Sequence, residues 1–251
     1  MTFWEHLDDL RSCLIRIGLV VLGLTVVAFC LKPWLFALIL APSHGDFITY
    51  RLLSVQMDDL HFINTGLATQ FSLHMAASFG AGIAVGSPWV LRELFGFVKP
   101  ALYRRERRYA LRITIAAYVM FVVGAAINYL AIFPMMVHFF GDYRVSAEVP
   151  NLIAIDSYVE ALLSSTLIMG VVFELPAVCW LLGRFGLISA EWMRRYRRHA
   201  LVAVMIAAAV ITPPDPMSMC LVVLPIYLLY ELSIFLVRKQ NKGNDNYVTE
   251  N

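Results

Sequence analysis

The chain has 251 residues, 60% of them hydrophobic and 15% charged, with a formal net charge of +2 and a mean hydropathy of +0.70. Soluble domains sit near half apolar, so this composition excludes an ordinary water-soluble fold and points to an integral membrane protein. At about 20 residues per crossing, the length accommodates roughly five to seven membrane helices.

Residues 1–11 are polar and acidic, and the apolar run after them is too long for the core of a signal peptide, so no cleaved leader is expected. The first span is read over residues 13–40, with Lys32-Pro33 near its outer end. The second covers 71–95, and the third covers 111–133 and stops at Pro134. The fourth covers 155–182, followed by two short runs at 199–211 and 218–237. The fifth run is only about 20 Å long as a helix, against a hydrocarbon core of about 30 Å. Thr212-Pro213-Pro214-Asp215-Pro216 then forces a turn. That pattern suits a re-entrant hairpin or a crossing of locally thinned bilayer, and the parity of the charged loops decides for a crossing. Residues 1–239 form one all-α membrane domain of six helices. Residues 240–251 are a polar tail, expected to be disordered.

Charge sets the orientation. If the spans alternate, every Lys and Arg except Lys32, Arg51 and Arg144 falls on one side. The positive-inside rule makes that side cytoplasmic, with both termini on it. The opposite loops carry Asp46, Asp58, Asp59, Asp142, Glu148 and Asp156. No internal repeat is visible.

Charged groups at bilayer depth are costly and usually face protein or water. Glu174, in VVFELPA, is the clearest such acid, and Pro176 two residues later frees a carbonyl and kinks the helix. A protonated Glu bonded to a neighbouring helix is the structural alternative. Glu160 lies on the same expected helix, within about 40° of Glu174 and about 21 Å away, and Asp156 precedes it by one turn. A proton relay and a groove for a polar chain both fit such an acidic stripe. Glu231 near the inner end of the last span suits snorkelling to the interface. Asp215 suits a turn or helix cap.

The six His residues show no metal-ligand spacing, and the four Cys lie in apolar segments without a CxxC. No nucleotide loop or nucleophile motif is present, so no metal, cofactor, nucleic-acid partner or catalytic activity is expected.

RRERR, residues 104–108, places Glu106 between two pairs of arginines. On a helix its neighbours at three and four residues are Leu102, Tyr103, Tyr109 and Ala110, none of them basic. The acid is therefore free to be offered outward. Glu5 and Asp9 share a helical face on the same side of the membrane, although acids there also suit a helix N-terminus.

EHLDDLR, FVKPALYRRERR, YLAIFP, FELP, ITPPDPMS and LPIYLLYELSI resemble, in order, the motifs of the TatC family, the multispanning receptor subunit of the twin-arginine protein translocase. The likeness runs from Glu5 to about Val237. Asp9 stands where the family more usually has Glu, and Met219 where many members have Gln. The resemblance implies a concave, glove-like bundle whose fifth and sixth helices are short. It implies binding of twin-arginine signal peptides of folded cargo on the cytoplasmic face of a bacterial inner membrane. It also implies single-span TatA- and TatB-type partners, self-association, lipid contact and drive from the proton-motive force. On this likeness Glu106 and Asp9 contact the arginine pair. Glu5 and Arg11 belong to the N-terminal motif, and Phe97 and Pro100 shape the loop. Glu174, Asp215, Glu160, Glu231 and Met219 are the intramembrane polar or partner-facing positions. The competing reading is a proton-coupled small-solute transporter using the Glu160/Glu174 stripe.

Overall fold

The computed structural model describes residues 3–98, 110–143, 146, 152–211 and 216–248. Among the described residues the regular structure is helical apart from one pair of two-residue strands.

Helix α1 (Phe3–Cys30) starts ten residues before the apolar run and packs antiparallel on α4 (Thr69–Val98). Cys13 and Val21 are buried in that seam, whereas Leu14, Leu19, Leu22 and Val26 are exposed, as a lipid-facing surface requires. The backbones approach closely at Gly82, where a Cβ would lie 2.4 Å from Thr25 Oγ1 and 2.9 Å from the Thr25 nitrogen.

The first span is not one helix. It breaks at Leu31 and resumes as α2 (Lys32–Leu40). Pro33 has no N–H to give the Phe29 carbonyl one turn back. His74 of α4 supplies the partner, with Nε2 3.1 Å from that oxygen and its ring stacked on Phe29 at 3.9 Å. In lipid such a carbonyl needs a donor from within the protein.

A 3-10 turn (Ala41–Ser43), helix α3 (Ile48–Leu53) and strand β1 (Phe62–Ile63) follow. Strand β1 pairs in parallel with β2 (Ile153–Ala154), Phe62 opposite Ile153. These pieces cover one end of the bundle, here called the hairpin end. The opposite end, where α1 begins and α4 finishes, is the basic end.

Pro134 does not end the third span, contrary to the sequence expectation. Helix α5 (Ala110–Ile127) passes through a π turn (Asn128–Ile132) into α6 (Phe133–Asp142), and the Phe133 N–H bonds to the Asn128 carbonyl. Pro134 leaves the Leu130 carbonyl without a donor, and the Thr49 hydroxyl takes it up. Tyr50 of α3 donates to the Pro42 carbonyl (3.0 Å) and the Pro134 carbonyl (3.1 Å).

The fourth span is broken as well. Helix α7 (Ile155–Val172) ends before Phe173-Glu174, and α8 (Leu175–Arg184) carries Pro176 in its first turn. Helix α9 (Ala190–Arg195) begins at Ser189, whose hydroxyl accepts the Trp192 N–H. Helix α10 (Arg197–Ile211) is 15 residues, and α11 (Pro216–Val248) is 33 residues. Helix α11 thus continues beyond residue 240, where the composition suggests a disordered tail. A helix already formed gains one hydrogen bond per added residue, and no proline stops this one.

Among the described residues three buried clusters lie along the bundle. One gathers Ile39, Leu73, Phe133, Val137, Tyr158 and Val159 at the hairpin end. A second gathers Met169, Phe173, Ala208, Val222 and Ile226 in the middle. A third gathers Ala190, Met193, Ile234 and Val237 at the basic end.

Among the described residues four stretches are long and apolar enough to cross a bilayer: Leu7–Cys30, Thr114–Asp142, Ile155–Arg184 and Ser218–Arg238. The chain is a multi-pass membrane protein. Helix α4 has the length, but its Ser, Gly and His residues lower its apolarity, and α10 is short.

Candidate functional site

At the basic end, α1 and α4 enclose a cavity of ≈ 370 Å³. Helix α1 contributes Asp9, Cys13 and Arg16, which at spacings of four and seven residues share one face. Helix α4 contributes Arg92, Glu93, Gly96 and Phe97. Arg16 Nε lies 3.1 Å from Glu93 Oε2, with side-chain exposures of 58% and 17%. The carboxylate is thus held in the wall and the guanidinium is mostly in the open. The Arg92 guanidinium is turned onto the Trp89 ring, 5.3 Å from its centroid. A Cβ on Gly96 would meet nothing within 4 Å.

Two expected signal-contact residues, Asp9 and Phe97, therefore share one cavity although they belong to different helices. Arg11 is exposed on α1 and is not among the cavity's lining residues. Glu5 lies within α1, but its side chain is not among those described. Glu106 and Pro100 lie outside the described residues, as does Asp215.

A second polar region sits inside the bundle. Glu174, at the α7–α8 break, is 8% exposed. Neither carboxylate oxygen has a hydrogen-bond partner among the described residues. Asn128, in the π turn of the third span, is fully buried. Its amide donates to Ser165 Oγ and Thr166 Oγ1 of α7, each at 3.0 Å. This stitches the two broken spans together.

The acidic stripe expected along the fourth span is divided. Glu160 and Asp156 line a groove of ≈ 710 Å³ between α4 and α7, floored by Leu73, Val159 and Leu163. Glu174 is not part of that groove. The break at Phe173–Glu174 ends the regular helical phase that would carry both acids on one face.

Glu231 does not simply snorkel. Its Oε2 lies 2.6 Å from Arg197 Nη2 of α10, and Tyr227 donates to Oε1 at 3.3 Å. The arginine following α9 reaches it because Tyr230 ties α11 to the Met193 carbonyl at 2.7 Å. Met219 packs against the middle cluster. Among the described residues no group of three or more His, Cys, Asp or Glu side chains is placed to hold a metal ion.

The sequence reading missed Glu93, Asn128, His74 and the Arg197 pairing. Asn128 carried a usable signal, since a lone amide in an apolar span generally bonds a neighbouring helix. Glu93 carried none, because α2, α3 and β1 lie in the chain between it and Arg16.

The family model for the Sec-independent protein translocase protein (TatC) matches residues 5–225. A Sec-independent protein translocase protein TatC of Blattabacterium sp. is 30% identical, covering 94% of each chain. One from Desulforapulum autotrophicum is 32% identical over 97% of this chain and 87% of that protein. Two solved structures of the twin-arginine translocase receptor TatC superpose with TM-scores of 0.78 and 0.80, each at 25% identity. They cover 92% and 93% of this chain, and 97% and 99% of their own.

Proposed function

This chain belongs to the TatC family of Sec-independent protein translocase proteins, and from that premise we propose that it is the receptor for twin-arginine signal peptides. The observation that carries the reading is the basic-end cavity, which sets Asp9 beside Phe97 with a second acid, Glu93, in the wall. An arginine's planar fork pairs with carboxylates, and a single exposed pair contributes only about 0–1 kcal/mol. Recognition therefore needs more than one acid together with apolar contact. Asp9 supplies one acid, and Glu106, with Pro100 shaping its loop, supplies another. Glu5 and Arg11 complete the N-terminal face.

In this reading the chain crosses a bacterial cytoplasmic membrane six times, α4 and α10 included, with both termini and the basic end in the cytoplasm. The surrounding arginines hold that end at anionic headgroups. TatA- and TatB-type single-span partners associate with it, and the proton-motive force drives export. Glu174, Glu160, Glu231, Asp215 and Met219 serve within the bilayer as polar or partner-facing positions, and the chain acts as a transporter of folded protein, not as an enzyme. The proton-coupled solute transporter loses support from the divided acidic stripe.

The test is site-specific crosslinking of a twin-arginine precursor to positions around Glu106, compared with a Lys-Lys precursor. The twin-arginine precursor is expected to crosslink and Glu106→Ala to abolish it while the protein still inserts. Equal crosslinking of the two precursors would sink the reading.

A further inference from the structure

We propose that Glu93 is a further specificity-determining acid for the signal's arginines, and that Arg16 is an internal guanidinium that occupies its place until a signal arrives. This rests on the receptor reading and deepens it.

The cavity already shows what it accepts, because the chain's own guanidinium sits in it. Glu93 is the sheltered partner, largely buried in the wall of α4, and Arg16 is the open one, more than half exposed and reaching it through Nε. Pairs this exposed are weak. An incoming guanidinium can therefore replace Arg16 like for like, leaving the charge count of the cavity unchanged while Arg16 swings into solvent. Asp9 stands on the same face of α1, two turns before Arg16, so two carboxylates are available to two consecutive arginines. Arg92 does not compete for them, since its guanidinium lies over Trp89. Room for the newcomer exists at Gly96, where a side chain would meet open space. The preference falls on arginine over lysine because a planar fork can engage a carboxylate edge-on, which a point-like ammonium does not.

The test uses the full chain in lipid nanodiscs and labelled peptides bearing Arg-Arg or Lys-Lys, with affinity read by fluorescence anisotropy. Arg16→Gln is expected to tighten Arg-Arg binding by roughly two- to fivefold, and Glu93→Gln to weaken it by a similar factor. The double variant should bind no more tightly than Glu93→Gln alone, and Gly96→Leu should weaken binding by filling the cavity without changing a charge. A gain in affinity cannot come from a damaged fold, so Arg16→Gln separates a competitor from a brace. If Arg16→Gln weakens binding as Glu93→Gln does, or if Glu93→Gln binds like the wild type, the inference is wrong. Equal wild-type affinity for the two peptides would instead overturn the receptor reading and the inference with it.

Discussion

At the hairpin end, hydroxyls of Thr49, Tyr50, Tyr129 and Tyr158 donate to main-chain carbonyls of neighbouring elements. At the basic end, Arg16 meets Glu93 and Arg197 meets Glu231 through long side chains that remain partly exposed. The first kind of contact has a fixed address. The carbonyls of Leu38 and Ile39 belong to the last turn of α2, and that of Leu130 is freed by Pro134, so each hydroxyl meets its acceptor at one point in space. The Tyr50 phenol is pushed above its ordinary pKa by burial, so it stays a donor throughout the working pH range. The second kind of contact is exchangeable, because any guanidinium can stand in for another. Both kinds occur at each end, with Tyr230 on the Met193 carbonyl at the basic end and the exposed Arg51–Asp46 pair at the hairpin end, but hydroxyl braces gather at the hairpin end and the cavity proposed to take a cationic segment is closed by an exchangeable pair.

The widest test of this contrast is the pair Thr49→Val and Tyr50→Phe, which leaves the carbonyls of Leu130, Pro42 and Pro134 without their hydroxyl donors. A combined loss of about 2–4 kcal/mol is expected, read by thermal or denaturant unfolding of the purified protein. A loss below about 1 kcal/mol would remove the distinction between the two ends. The smallest effect is expected from Glu231→Gln, which breaks the Arg197 pair in a half-exposed setting. About 0–1 kcal/mol should be lost, and less at high salt. If Glu231→Gln destabilises as strongly as the hydroxyl pair, the basic end is braced too.

The positions of the apolar runs, the odd brevity of α10 and the ordered motifs of the family were all legible in the sequence. What was not legible follows from long-range pairing. Lys32-Pro33 and Phe133-Pro134 look alike as helix stops, yet the first breaks a span and the second is carried through. At Pro134 the π turn carries the helix through, and in both places the partner of the freed carbonyl is distant, His74 and Thr49 lying 45 and 81 residues from theirs. Glu231 looked like an interfacial acid because Arg197 is 34 residues away. Glu174 was legible as a buried acid, since cost alone marks it. Its separation from Glu160 was not, because the helix break alters the phase on which that alignment depended.

The π turn at Asn128–Ile132 winds one residue more than an α turn into the third span. The bulge takes up that residue locally: the Phe133 N–H still closes on the Asn128 carbonyl, and Met136 and Val137 stay against Ile39 and Leu73. Deleting Ala131 would make that bond an ordinary α-helical one and leave the face beyond it in place. A deletion in the regular helix before the turn has nothing to absorb it and would rotate one half of the span by about 100° against the other. The π turn is thus where this span can change length by one residue and keep the hairpin end latched.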